Sequence, residues 1–104
     1  TVLVIAYRMA GTIVEALASV LAQDEPCEVL VSDDCSGDDA LDRCAAYLAG
    51  YAGPHRVRVR ATAANRGLCG HLVELAGLAS APVHVFQAGD DASKPGRVRA
   101  LLAE

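Results

Sequence analysis

Two pairs of adjacent carboxylates stand where apolar runs end. Asp90-Asp91 follow Val83-His84-Val85-Phe86-Gln87 across Ala88-Gly89, and Asp33-Asp34 follow Cys27-Glu28-Val29-Leu30-Val31-Ser32. Neighbouring carboxylates repel, so a folded chain that sets them at a strand end needs a compensating cation. A divalent metal carrying phosphate oxygens meets that need, because hard cations prefer oxygen ligands. Two such pairs at two strand ends point to one shared site. A plainer account competes at each pair. Acids at a helix start are favoured by its dipole, which would suffice for Asp90-Asp91 and does suffice for Asp38 and Asp39. Asp33-Asp34 with Ser36 could equally form an Asx-type turn.

The elements that must position these residues are legible from periodicity. Thr1–Ala6 is a continuous, β-branched apolar run, as in a strand buried on both faces. Thr12 and Glu15 have the spacing of a capping box, opening a helix with Ile13, Leu17, Val20 and Leu21 on one stripe. Residues 27–32 form a second strand. Ser36 is placed to cap a second helix carrying Leu41, Cys44, Ala45 and Leu48 inward, ended by Gly50, Gly53 and Pro54. Arg56–Ala61 alternates arginine with valine, predicting a strand with one buried and one wet face; its arginines read as a solvated edge. Gly67 opens a third helix with Leu68, Leu72, Leu75 and Ala79 inward. Residues 83–87 form a fourth strand with His84 as a satisfied core or face histidine. Ser93 is placed to cap a last helix with Pro95 in its first turn and Val98, Leu101 and Leu102 inward.

Strands alternating with helices predict an α/β fold: a parallel sheet, right-handed crossovers and helices on both faces. Ligands in such sheets bind beyond the carboxyl ends of the strands. The polar clusters fall there: Tyr7-Arg8, Asp33-Asp34, Asn65-Arg66 and Asp90-Asp91, one after each strand. No GxGxxG or GxxxxGK[ST] follows the first strand, so a phosphate would need a metal or basic side chains.

Composition narrows the classes further. With 104 residues and 53% apolar content the chain can bury a real core, and 4% aromatics means a core of alanine, valine and leucine. A net charge of −4 argues against nucleic acid as a partner. Cys27, Cys35, Cys44 and Cys69 lack metal-ligand spacing and read as buried or half-buried thiols of a cytoplasmic protein. No apolar run has membrane-spanning length. Thr1 opens directly into a strand, and the chain reads as a single domain, 1–104, that is part of a longer one.

Taken in order, Tyr7-Arg8, Ser19-Val20-Leu21-Ala22-Gln23, Val31-Ser32-Asp33-Asp34-Cys35-Ser36, Asn65-Arg66-Gly67 and Gly89-Asp90-Asp91 resemble the motifs of family 2 glycosyltransferases of the GT-A fold. The resemblance covers essentially the whole chain. It implies a Rossmann-like sheet of order 3-2-1-4, in the N-terminal, nucleotide-binding half of a longer domain. It also implies an enzyme that moves a sugar from a nucleotide diphosphate, UDP by expectation, to an acceptor with inversion, using Mg2+ or Mn2+.

Carried over by position, Ala6, Tyr7 and Arg8 would line the base pocket. Asp33 or Asp34 would hydrogen-bond the base, with Asp34 favoured. Asp91 would bind the metal, with Asp90 nearer the ribose or sharing the ion. Arg66, in the loop at the ligand end, could reach a phosphate or the base. No catalytic residue is expected within the chain, since the resemblance puts the acceptor site and base beyond Glu104.

Several positions depart from the family pattern. Ile5 and Arg8 replace a frequent proline and asparagine, Ala88 replaces the first acid of a DxDD pattern, and Leu72-Val73 replace an Arg-Asn pair. His71 reads as structural. Two other classes compete: a non-catalytic module built on the same half-fold, and a phosphoacceptor receiver domain. The receiver resembles this chain less, because its acidic pair would follow the first strand. A sheet ending after four strands also exposes an edge, so association with the rest of the protein or a second copy is expected.

Overall fold

The computed structural model describes residues 1–103. Along the chain run β1 (Val2–Ala6), α1 (Ile13–Leu21), β2 (Glu28–Asp33), α2 (Ala40–Leu48), β3 (Arg56–Ala61), α3 (Gly67–Leu78), β4 (Val85–Ala88) and α4 (Arg97–Leu102). The strands pair in parallel in the order β3-β2-β1-β4. This is the expected α/β order, with β1 central and buried along its whole length.

The pleat divides the core. Val2, Val4, Ala6, Val29, Val31 and Val85 meet α1, α2 and α4 on one face through Ile13, Leu17, Val20, Ala40, Cys44 and Val98. Leu3, Ile5 and Leu30 meet α3 on the other through Leu75, flanked by Leu72 and Ala79. Ile13, Leu17, Leu30 and Leu75 are fully buried, each contributing roughly 1.5–3 kcal/mol. Register decides where the polar loops emerge. Ala6 lies opposite Asp33, and Asp33 opposite Ala61. The ladder then runs past the strand ends: the Asp34 amide donates to Ala6 O at 2.8 Å, Thr62 to Asp33 O at 2.9 Å and Gly89 to Ile5 O at 2.8 Å.

Several local expectations are corrected. Thr12 is the residue before α1, yet its hydroxyl makes no cap bond. It donates instead to Gly89 O at 2.8 Å, tying α1 to the end of β4. Ser36 and Ser93 do not cap α2 and α4 either; the residues before those helices are Asp39 and Gly96, and Pro95 lies outside α4. β4 begins at Val85, so His84 is exposed before the strand, paired with Ala81 O at 3.1 Å. Ala45, Leu68, Leu101 and Leu102 are exposed, while Ala40 takes an inward place on α2. Cys35 and Cys69 are exposed rather than half-buried.

The arginines of β3 are not simply a wet face, because they share their side of the sheet with α3. Arg58 pairs with Glu28 at 3.1 Å and Arg60 with Glu74 of α3 at 2.7 Å. On that same side Leu68, Val73, Leu78 and Phe86 are exposed. Among the described residues no helix is long and apolar enough to cross a membrane.

Candidate functional site

The loops after β1 and β2 both turn through residues with left-handed backbone, Arg8 at φ 56° and Cys35 at φ 58°. Non-glycine residues seldom adopt this conformation, and where they do the surroundings must hold them. Beyond β1 the Arg8 guanidinium lies 5.1 Å from the centre of the Tyr7 ring, a cation–π distance, with both side chains exposed.

The two carboxylates after β2 have separate tasks. Asp33 turns back on its own loop, accepting from the Ser36 amide at 2.9 Å and the Ser36 hydroxyl at 2.5 Å. Asp34 reaches across to the start of α3. Its Oδ1 accepts from the Thr62 hydroxyl at 3.0 Å and the Arg66 amide at 2.7 Å, and its Oδ2 from the Gly67 amide at 2.9 Å. Those amides belong to the first turn of a helix, where backbone donors lack intrahelical partners. Gly67, at φ +72°, supplies the turn that aims them. Burial pushes the Asp34 pKa up, but the Arg66 amide, the Thr62 hydroxyl and the Gly67 amide outweigh it and hold the carboxyl below its ordinary range.

Asp34 is also one wall of a pocket of about 390 Å³ lined by Ile5, Ala6, Tyr7, Met9, Asp34, Asn65, Gly67, Leu68, His71 and Ala88. It is mostly apolar with a few polar groups converging, as in small-ligand sites. His71 is almost wholly buried, and its Nε2 lies 2.6 Å from Ser32 Oγ. Burial is the main cause of its lowered pKa, so the ring is neutral near neutrality. Sequence reasoning took His71 as structural. The signal that could have found it is its place one turn after Gly67, on the same side of a helix that opens at the pocket.

The pair after β4 sits on a close approach. A Cβ on Gly89 would stand 2.9 Å from Ile13 Cδ1, 3.0 Å from Met9 Sδ and 3.1 Å from Ala6 Cβ. Behind the pair, Ser19 Oγ accepts from the Ser93 amide at 2.8 Å. Gln23 donates to Lys94 O at 2.9 Å and accepts from the Val98 amide at 3.0 Å. The Ser19–Gln23 motif therefore anchors the segment that follows the acids, a task invisible in sequence. Asp91 lines a second depression of about 330 Å³ with Gln87 and Arg97, and Ala88 borders both hollows.

Asp90 and Asp91 are exposed, and neither carboxylate has a hydrogen-bond or ion-pair partner among the described residues. In contrast, the Asp33 and Asp34 carboxylates are engaged. Arg66 is also engaged, with its Nε 3.3 Å from Glu74, which pairs with Arg60 as well. Ala6, Tyr7 and Asp34 thus share one pocket, Asp91 lies in the adjoining one, and the side chains of Asp33 and Arg66 are committed to other partners. A further cavity of about 470 Å³ lies at the amino-terminal edge of the sheet. There Glu28 is satisfied by the Thr1 hydroxyl, the Ser80 amide and Arg58, and it has no carboxyl-edge cluster.

Residues 1–104 match the family described as Glycosyl transferase family 2. The chain belongs to that family. It is 38% identical over 103 residues to the succinoglycan biosynthesis protein ExoO of Rhizobium meliloti (strain 1021), covering 98% of this chain and 28% of that protein. The crystal structure of S. aureus TarS 1–349 superposes with a TM-score of 0.80 at 28% identity over 98% of this chain and 30% of its own. The same protein in complex with UDP gives a TM-score of 0.76 at 29% identity, over 97% of this chain and 30% of TarS. The mannosyltransferase PcManGT from Pyrobaculum calidifontis, in complex with GDP-Man and Mn2+, shares the fold. Its TM-score is 0.80 at 23% identity, over 88% of this chain and 27% of that one. The chain thus spans under a third of the relatives it matches. Its four parallel strands, in the order β3-β2-β1-β4, form the α/β sheet of the family's GT-A fold.

Proposed function

We propose that this chain holds the donor, a nucleoside-diphosphate sugar with UDP as the nucleotide, for a glycosyltransferase. The observation that carries the reading is the pairing of two adjoining hollows. One is apolar and walled by Ala6, Tyr7 and Asp34, suited to a base. The other begins beyond Ala88 and is lined by Asp91, next in the chain to Asp90; among the described residues neither carboxylate has a partner. The UDP complex of S. aureus TarS, similar over almost the whole chain, supports the choice of nucleotide.

The acids fit a divalent cation such as Mg2+ or Mn2+. No cluster of three or more His, Cys, Asp or Glu side chains able to hold a metal occurs among the described residues. A two-carboxylate site that takes its remaining ligands from substrate phosphates and water is, however, the habit of Mg2+. Asp91 and Asp90 would hold the ion; when bound, it supplies Lewis-acid stabilisation of the charge that develops on the departing diphosphate. The protein's own work is positional. Gly89 lets β4 deliver the pair against β1, Ser19 and Gln23 fix the chain behind it, and Asp34 locks the α3 loop that forms the pocket wall.

The test is UDP binding by calorimetry on the intact protein with and without Mn2+. UDP should bind, Mn2+ should tighten it, and Asp91→Asn should erase the gain from metal while leaving metal-free binding in place. Absence of nucleotide binding in the wild type would refute the donor role. An undiminished metal effect in the variant would refute the role of Asp91.

A further inference from the structure

The environment of His71 determines which ring nitrogen carries its proton. Ser32 has no exposed surface, and its Oγ already accepts from Arg60 Nη1 at 3.2 Å. Its own hydroxyl proton needs an acceptor, since a buried donor left unpaired is unfavourable. The available acceptor is His71 Nε2, 2.6 Å away. Ser32 therefore donates to Nε2, and the neutral imidazole, which has one donor and one acceptor nitrogen, carries its hydrogen on Nδ1. Nδ1 has no partner among the described residues, and His71 lines the pocket.

Asp34 lines the same pocket with the opposite polarity. A carboxylate offers about four acceptor positions; Thr62, Arg66 and Gly67 use three, which leaves one on Oδ2. The pocket thus presents a donor at His71 and an acceptor at Asp34.

We propose that His71 selects the nucleobase of the donor: beside Asp34, the carboxylate that the family resemblance already sets against the ring N–H, His71 Nδ1 donates to the neighbouring ring carbonyl. Uracil and guanine carry that carbonyl–NH edge. Cytosine presents a bare ring nitrogen and an amino group there, as does adenine, so donor would face donor and acceptor would face acceptor. The inference rests on the nucleotide reading of the pocket and adds to it one specificity-determining residue, His71.

The test compares UDP, GDP, CDP and ADP, each with Mn2+, by calorimetry on the intact protein. UDP or GDP should bind at least about tenfold more tightly than CDP and ADP, the scale of one well-placed hydrogen bond. His71→Ala should reduce that ratio by roughly tenfold. His71→Asn, which keeps an amide donor near the place of Nδ1, should largely restore it. Independently, long-range 1H–15N spectra of the wild type should show the Nδ1-protonated tautomer. Tight binding of all four nucleotides alike, an unchanged ratio in His71→Ala, or an Nε2-protonated ring would overturn the role of His71 while leaving the donor reading standing. Binding of none of them would overturn the donor reading itself. Should His71→Ala not fold, the wild-type ratio, the asparagine variant and the tautomer still decide.

Discussion

Asp34→Asn keeps the side-chain volume and removes the charge together with one acceptor atom. Asp34 accepts from Thr62 and Arg66 on Oδ1 and from Gly67 on Oδ2. An asparagine oxygen kept toward Thr62 and Arg66 turns its NH2 group onto the Gly67 N–H; flipped, it meets the Arg66 N–H. Either way one backbone donor loses its partner, at about 1–3 kcal/mol, and the surviving bonds fall from charge-assisted to neutral strength, roughly another 1 kcal/mol. The sum, about 2–4 kcal/mol, is a large part of the roughly 5–15 kcal/mol that holds a domain folded.

For a domain of this size each kcal/mol shifts the melting temperature by roughly 4 °C. A fall of about 8–16 °C near neutral pH is therefore expected by circular dichroism or calorimetry. The acid behaviour provides a second check. Because hydrogen bonding lowers the Asp34 pKa from 3.8 on folding, its stabilisation is present above that value and is lost as pH falls through the lower folded value. The gap between wild type and variant should narrow in that window. A variant melting within about 2 °C of wild type, or a gap that stays constant into acid, would refute Asp34 as the lock on the α3 loop.

Gly89→Ala should lower the urea midpoint by the equivalent of about 1–3 kcal/mol, since Ile13 and Met9 can swing but Ala6 Cβ, 3.1 Å away, is fixed to β1. An unchanged midpoint would show that β4 yields instead. At the other edge of the sheet the Ser80 amide is the main cause that holds Glu28 down to about 2 from 4.5, with the Thr1 hydroxyl and Arg58 assisting against burial. Its contribution is present above about pH 4.5 and is lost as pH falls through about 2, so the urea midpoint should decline across that window. Glu28→Gln should flatten the decline; parallel curves for wild type and variant would remove Glu28 from it.

Family membership, element order and the carboxyl-edge placement of the polar clusters were legible from the chain alone. Each rests on local information: unbroken apolar runs for buried strands, 3.6-residue stripes on the helices, and short motifs in register. Details dependent on partners far along the chain were not legible. Thr12 has the residue type and spacing of a cap, yet Gly89, 77 residues away, takes its hydroxyl. The alternating arginines of β3 look solvated until α3 brings Glu74 over them.

The same division runs through the site. Residue types alone placed two acidic pairs at one end of the sheet, because a strand's end and a helix's start are local events. Tertiary structure decided which pair remained uncommitted. The first turn of α3 presents its amides to Asp34, and Ser36 closes on Asp33, whereas no such partner faces Asp90 or Asp91 among the described residues. It also turned His71 from a helix residue into part of a pocket wall, through its contact with Ser32 of β2. Hydrogen bonds between residues about thirty or more positions apart leave no local trace in sequence, and those bonds decide which carboxylates remain for a ligand.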